Sequence, residues 1–459
     1  MTRLHAITAR NRKWWTLGAM SFALFMIMLD NTVVNVALPS IQRDLNASLS
    51  ALEWTINAYT LTFAVLLVTG GRLGDIFGRR RWFLLGVALF AGSSATAGFA
   101  PSDLSLIISR AVQGIGAALM MPATLSIITN AFSPAERGKA IGTWAGVSAL
   151  ALAIGPVVGG FLTEQVSWRA IFFLNIPVAI LAIVVALAAV KESRDTAIER
   201  SVDYLGVSAL TAGLAALVLA LVEGNGWGWG STRIAVLLIV AMLALVAFVL
   251  IERRVRNPMV QFEFFRSRTF VGANAIAFIV SFAMLAMFFF MALYMQNILR
   301  YSPLEAGVRF LPSTAVIMVT APIAGRLTDR TGPKYLIATG MTLVATALLI
   351  QSQITTTTGY GQLLPSFILM GLGMGLVMSP MSTAAMNSVH EGKAGVASGI
   401  LSMSRMVGGT FGVAAVGALF QHFANDKLGS SLASTSLTSQ QKAWFTDNLG
   451  SGNVQNHLH

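Results

Sequence analysis

The sequence predicts an all-α polytopic membrane protein, and three observations carry that prediction. The 459 residues are 55% hydrophobic and 11% charged, with a mean hydropathy of +0.71; a soluble domain carries about 25% charged residues. Apolar runs near 20 residues recur along the chain, the length needed to cross a hydrocarbon core of about 30 Å. Lys and Arg fall between those runs rather than in one patch, which is how a membrane protein fixes its orientation. These features exclude a cytosolic enzyme, a disordered chain and a nucleic-acid binder, although a net charge of +12 and a pI near 10.6 taken alone would suggest nucleic acid. Runs this long are helices, not the short alternating strands of a barrel.

Thirteen spans follow in order: 14–38, 51–71, 82–100, 104–128, 138–162, 169–190, 205–222, 234–251, 270–295, 304–325, 335–352, 362–382 and 394–420. The first has no small-residue cleavage site behind it, so it is a span and not a signal peptide. With the N-terminus in the cytoplasm, the cytoplasmic segments hold 22 of the 31 basic residues. That bias predicts a multi-pass protein of the cytoplasmic membrane with its N-terminus inside; a bacterial protein acting as a monomer is expected. Cysteine is absent, and the five histidines lie near the termini or in expected loops. Disulfides, thiolate zinc and a histidine metal site are therefore not expected.

An internal repeat organises the spans. Gly71-Arg-Leu-Gly-Asp75-Ile-Phe-Gly78-Arg79-Arg80 returns 254 residues later as Gly325-Arg-Leu-Thr-Asp329-Arg-Thr-Gly332-Pro-Lys334. Gly138-Lys139-Ala140 returns at the same spacing as Gly392-Lys393-Ala394, and Gly114-Ile-Gly116 with Pro122 returns 257–258 residues later as Gly371-Leu-Gly373 with Pro380. Parallel repeats of this kind characterise a large class of transporters, with the substrate site near midplane between the halves. The expected organisation is a six-helix half over 14–190, two inserted helices over 205–251, a second half over 269–420 with five visible spans, and a polar tail over 421–459. The last helix is missing from this count; either the chain is a truncated or naturally shortened member of the class, which is the expected explanation, or its C-terminus ends outside.

The repeat motif at 71–81 resembles the loop signature of the major facilitator superfamily, and further segments narrow the resemblance to its fourteen-span drug:proton antiporters. Arg110, Gln113, Gly114 and Gly116 resemble the span-four motif. Gly146 with Gly155-Pro156-Val-Val-Gly159-Gly160 resembles the span-five antiporter motif. Leu29-Asp30-Asn-Thr-Val-Val-Asn35-Val-Ala-Leu-Pro39, Trp168-Arg-Ala-Ile-Phe-Phe-Leu-Asn175-Ile-Pro177 and Tyr301-Ser-Pro303-Leu-Glu-Ala-Gly307 resemble segments of the fourteen-span branch. The resemblance implies the major facilitator fold and multidrug or antibiotic efflux. In it, Arg110 matches the arginine tied to proton transfer.

The residues themselves point the same way. Asp30 lies about 22 Å along a helix that begins at Trp14 and Trp15, a depth at which an aspartate costs roughly 2.5–3.5 kcal/mol. A carboxyl that is neutral when dry and ionised when wet or paired can carry a proton. Its bland alternative is a structural hydrogen bond to a neighbouring helix. Arg110 stays charged when buried and shares a helix face with Gln113. Whether it meets Asp30, or forms a fixed ion pair elsewhere, is open in the sequence. The second-half windows Met284–Phe288 and Leu364–Ile368 hold no charge, so proton coupling is expected in the first half alone.

Gly138, Gly142 and Gly146, continued by Gly155 and Gly159, give span five a face without side chains, and Pro156 is expected to kink it. Gly395, Gly399, Gly408 and Gly412 of span thirteen are expected to form the matching seam. Gly71, Asp75, Gly78 and Arg79, with Asp329 as the weaker second copy, are read as conformational locks at a helix-end turn. Arg80 and Arg81 are read as positive-inside anchors.

Candidate cavity residues are Asn31, Asn35, Asn57, Gln113, Met287, Tyr294 and Arg405. Methionines and aromatics over 284–295 would suit varied apolar ligands, or fill lipid-facing surface. Arg405 could bind an anion or pair with Asp30. No phosphate-cradling Gly-Lys-Ser/Thr loop occurs, so a proton gradient rather than ATP or a cofactor is expected to drive the protein, and no enzyme constellation is present. The expected function is proton-coupled antiport exporting small hydrophobic or cationic compounds. A metabolite carrier of the same fold and a non-transporting membrane sensor are the alternatives.

Overall fold

A computed structural model describes Thr8 and residues 11–47, 49–194, 203–255, 258, 260 and 262–433. The first half comprises α1 (Arg12–Leu45), α2 (Leu49–Phe77), α3 (Arg79–Gly98), α4 (Asp103–Ala131) and α5 (Pro134–Gln165). Its sixth span is broken into α6 (Ala170–Phe173) and α7 (Asn175–Ala189). Two further helices follow, α8 (Tyr204–Trp227) and α9 (Thr232–Glu252), packed on each other. The second half holds α10 (Arg268–Leu293), α11 (Pro303–Thr331), α12 (Lys334–Gln351), α13 (Tyr360–Asn387) and α14 (Ala394–Ala433).

Each of the thirteen expected spans coincides with one of these helices or, for 169–190, with the α6–α7 pair. Eleven are long and apolar enough to cross a membrane on length and composition. The other two are α3, which opens on three arginines and carries Ser93, Ser94 and Thr96, and α5, which is glycine-rich. Helix α5 lies between α1 and α11, so its composition answers to protein neighbours rather than to lipid. Helix α9 is the opposite case: Val236, Ile239, Leu243 and Val246 are all more than half exposed, as expected of a helix that meets lipid.

Several boundaries differ from the sequence expectation. Helix α2 runs to Phe77 and α11 to Thr331, so Asp75 and Asp329 sit on helices rather than in loops. The break between α2 and α3 is Gly78 alone, whose φ of 119° is closed to most side chains. Helix α14 continues to Ala433, through the start of the region read as a polar tail; residues 434–459 lie outside the described part.

The repeat is visible as equivalent backbone contacts. A Cβ on Gly116 would run into Gly86 and Phe90, and one on Gly373 into Gly340 and Val344. The partners on α3 and α12 are 254 residues apart, whereas the glycines on α4 and α13 are 257 apart. Three extra residues therefore lie in the α12–α13 connection. Gly138 accordingly corresponds to Gly395, not to Gly392 as the short sequence match had it. Helix α5 packs against α11, and α14 packs against α2; these two contacts join the halves.

Candidate functional site

Asp30, on α1, is fully buried inside the first half and does not face lipid. Three side chains donate to its carboxylate: Arg110 Nη1 to Oδ2 at 2.5 Å, Gln113 Nε2 to Oδ1 at 2.9 Å, and Asn175 Nδ2 to Oδ1 at 3.0 Å. Arg110 is held in turn by its Nη1 donating to Gln113 Oε1 at 2.7 Å and its Nε to the Thr55 carbonyl at 3.2 Å. Its guanidinium carbon lies 4.3 Å from the centre of the Tyr59 ring, a cation–π distance. Asn175 also donates to Ser94 Oγ at 3.0 Å, and Ser94 to the Phe172 carbonyl at 2.8 Å.

Every neighbour of Asp30 donates, so the geometry is that of an acceptor-only, ionised carboxylate. A proton placed on Oδ2 would face the Arg110 donors, and one of the two groups would have to move. Arg110 meets Asp30 directly, the contact that the sequence left open.

Away from this cluster, two carboxylates pin the halves together at one end of the bundle, here termed the basal end. Asp75 accepts from the backbone N–H of Gly395 at 3.0 Å and of Val396 at 2.9 Å, in the first turn of α14. Helix N-termini favour negative charge. Arg79 Nε donates to the same carboxylate at 2.8 Å, and Arg79 Nη2 reaches the Gly392 carbonyl at 2.8 Å. Both side chains are buried.

The second copy repeats the first with Asp329 of α11 accepting from Gly138 N at 2.9 Å and Lys139 N at 3.0 Å on α5. Pro333 occupies the position equivalent to Arg79, so this lock has no cation of its own. Backbone meets backbone at both locks, Gly71 against Gly395 and Gly325 against Gly138. Arg137 Nη1 adds a bond to Asn387 Oδ1 at 3.1 Å, and Ser379 Oγ one to the Gly138 carbonyl at 3.4 Å. These hydrogen bonds between the halves lie together at the basal end.

The glycine seam divides in a way the sequence did not suggest. Gly138, Gly142 and Gly146 face α11, where a Cβ would press on Gly325, Ala321 and Met318 or Pro322. Gly155 and Gly159 instead face Thr32 and Val33 of α1, inside their own half. The partner of the lower glycines is α11 and not α14. Gly395 and Gly399 pack on α2, and Gly408 and Gly412 on α10. The side chain of Pro156 lies outside the described part, and α5 runs through its position. Gly78 sits beside Glu192, which caps α3 by accepting from Arg80 N at 3.0 Å and Arg81 N at 3.2 Å.

The cavity candidates separate. Met287 is 4% exposed and belongs to the protein core. Tyr294 donates to the carbonyls of Thr355 and Thr358 at 2.7 and 2.8 Å, tying α10 to the α12–α13 connection. Gln113 is spent on the Asp30 cluster. Asn31 and Asn35 turn their amides onto their own helix, to the carbonyls of Ile27 and Asn31. Asn57 is half-buried on α2. Arg405 does not pair with Asp30; its Nε and Nη2 are buried without an acceptor.

Ser94, Thr55 and Tyr59 were not singled out from sequence, and Asn175 entered only as part of a segment of family resemblance, with no role given to it. Asn175 had a signal, being a lone amide in an otherwise apolar stretch, but the others are ordinary residues of membrane helices.

The profile of the Major Facilitator Superfamily matches residues 20–413. The tetracenomycin C resistance and export protein of Streptomyces glaucescens is 37% identical over 410 residues, 89% of this chain and 76% of that protein. The puromycin resistance protein pur8 of Streptomyces alboniger is 40% identical over 408 residues, 88% and 81% respectively. Among solved structures, the proton:xylose symporter XylE superposes with a TM-score of 0.62 at 15% identity, over 98% of this chain and 95% of that one; that likeness concerns the fold alone.

Proposed function

The chain belongs to the Major Facilitator Superfamily, a family of transporters, and from that premise we propose that it is a proton-coupled antiporter exporting small, largely apolar compounds. The relatives are named for resistance to and export of antibiotics, which supports export as the direction. The basal end, which carries the basic segments, faces the cytoplasm with the N-terminus. The locks at Asp75 and Asp329 close that side, so the conformation described is the one open outward.

The single observation that carries the proton step is the buried carboxylate of Asp30 held by Arg110, Gln113 and Asn175. A proton arriving from outside adds to the Asp30 carboxylate and cancels its charge. Arg110 then keeps only the Thr55 carbonyl, Gln113 Oε1 and the Tyr59 ring as partners, and the packing of α1 against α4 relaxes. Return to the inward-open form exposes Asp30 to the higher cytoplasmic pH, the proton leaves, and compound loaded there is carried out as the pair re-forms. Alternating access of this kind rocks two halves about a midplane site.

The test is transport in proteoliposomes under an imposed pH gradient, with compound and proton fluxes both followed. Wild type is expected to move compound against proton flow. Asp30→Asn is expected to bind compound but to lose gradient-driven accumulation. Full gradient-driven transport by that variant would overturn the proposal.

A further inference from the structure

Among the described residues, none accepts a hydrogen bond from Arg405 Nε or Nη2. Arg405 lies on α14, ten residues and about 15 Å beyond the Gly395 contact at the basal lock. Its Nε and Nη2 are shut off from solvent with no acceptor in reach, while the residue as a whole keeps part of its surface open. Trp144, on α5 of the other half, places its ring centre 5.9 Å from the guanidinium carbon. That indole is 2% exposed, and its Nε1 also lacks an acceptor. Two helices from opposite halves thus bring unmatched donors together immediately above the seal that closes the basal end.

The carboxylates that could have answered Arg405 are committed elsewhere. Asp30 serves Arg110, Gln113 and Asn175; Asp75 serves Arg79 and the start of α14; Asp329 serves the backbone of α5. A guanidinium does not shed its proton to escape burial, and buried donors in native interiors are almost always matched. A donor-only cluster shared by the two moving halves fits a ligand that brings the acceptor. Guanidinium grips a carboxylate with two parallel bonds, and an indole face accepts a flat apolar body.

We propose that Arg405 and Trp144 form the anion-recognising part of the transport cavity, and that the exported compound carries an acidic group, a carboxylate or ionised phenol, on a flat apolar body. This rests on the efflux reading and narrows its substrate class. It also turns the expectation of cationic compounds around, because no described carboxylate at this depth is free to receive a cation.

The test is equilibrium binding to the full chain in nanodiscs of zwitterionic phosphatidylcholine, which keeps anionic headgroups out of the assay. Radiolabelled 2-naphthoate is competed with its uncharged isostere 2-naphthamide at neutral pH. Naphthoate is expected to bind about tenfold or more tightly, the discrimination a charge-assisted pair supplies. Arg405→Gln is expected to erase the preference, and Arg405→Lys to keep part of it, since lysine retains the charge without the fork. Equal affinity of the two compounds, or no saturable naphthoate binding, overturns the proposal using wild type alone, so nothing depends on a variant folding. Gradient-driven proton flux is measured on the same purified protein reconstituted in sealed phosphatidylcholine vesicles. A charge preference without that flux would sink proton antiport and leave the anion site standing; flux without the preference would do the reverse.

Discussion

The first half buries Asp30 against Arg110; at the equivalent places, 254 and 257 residues on, the second half has Met284 and Phe367. Phe367 and Met370, the counterpart of Gln113, are fully buried. Phe367 packs on Phe310 at 5.3 Å and Tyr360 at 6.3 Å between ring centres. One backbone plan thus accommodates an ionic cluster in one copy and an aromatic cluster in the other. The charge is not what holds the architecture together. A buried ion pair is commonly no more stabilising than apolar residues of similar volume, so the pair in the first half has to be accounted for by what it does.

The sharpest way to break the comparison is to rewrite the first half in the image of the second. Arg110→Phe alone leaves Asp30 buried without its cation and is expected to cost about 3–5 kcal/mol of stability, read as a fall in thermal unfolding temperature. Combining it with Asp30→Met should recover much of that loss while leaving gradient-driven transport at least about 100-fold below wild type, a loss of roughly 2.7 kcal/mol of coupling. Phe367→Leu, the control in the second half, should keep transport within about threefold of wild type. A double variant with intact proton coupling would remove the distinction between the halves.

The locks offer a finer contrast. Asp75 neutralises a buried arginine as well as capping α14, whereas Asp329 only accepts from backbone. Asp75→Asn is therefore expected to lower transport about tenfold and Asp329→Asn about twofold, because only the first also leaves a buried guanidinium uncompensated. Because the sequence has no cysteine, single cysteines introduced at the basal end can be labelled without background. Labelling there should rise more in the Asp75 variant. Gly325→Ala should raise it too, since a Cβ there meets the Gly138 carbonyl.

The smallest effect belongs to the opposite end, where Asp44 accepts from Arg169 and from Trp168 Nε1. Hydrogen bonding to Arg169, then to Trp168, holds the Asp44 carboxyl below its ordinary value. A lowered folded-state value means the contact is complete above the ordinary carboxylate range and is lost only as pH falls through the lowered one. Asp44→Asn should leave transport between about pH 5 and 8 within twofold of wild type, as expected for an exposed pair.

The span positions were legible because each apolar run has to satisfy its own backbone in lipid, and the repeat was legible because glycine contacts tolerate no side chain. Asp30 and Arg110 stood out because ionisable residues at such depth are costly and few. What the sequence did not reveal was partnership across helices. Asn175 joins Asp30 from 145 residues away, and nothing local to either residue encodes the approach. Arg405 likewise looked able to reach Asp30, and only the packing of α14 against α2 and α10 places it with Trp144 instead. The offset of the repeat was misread at Gly138 because a three-residue insertion far from that glycine shifted the register. Met287 and Tyr294 show the same limit: their chemistry suits a cavity, but neither the burial of the one nor the bonds of the other to Thr355 and Thr358 can be read from the sequence.

Helix α5 carries a consequence of its own. Its lower glycines rest on α11 and its upper ones, Gly155 and Gly159, on the α1 segment just beyond Asp30, with continuous helix between. Gly138 and Gly155 are about 26 Å apart along that rod. A continuous rod of this length joins the neighbourhood of the acid to the basal contacts, so under the proposed antiport a displacement of α1 would reach those contacts with little slack.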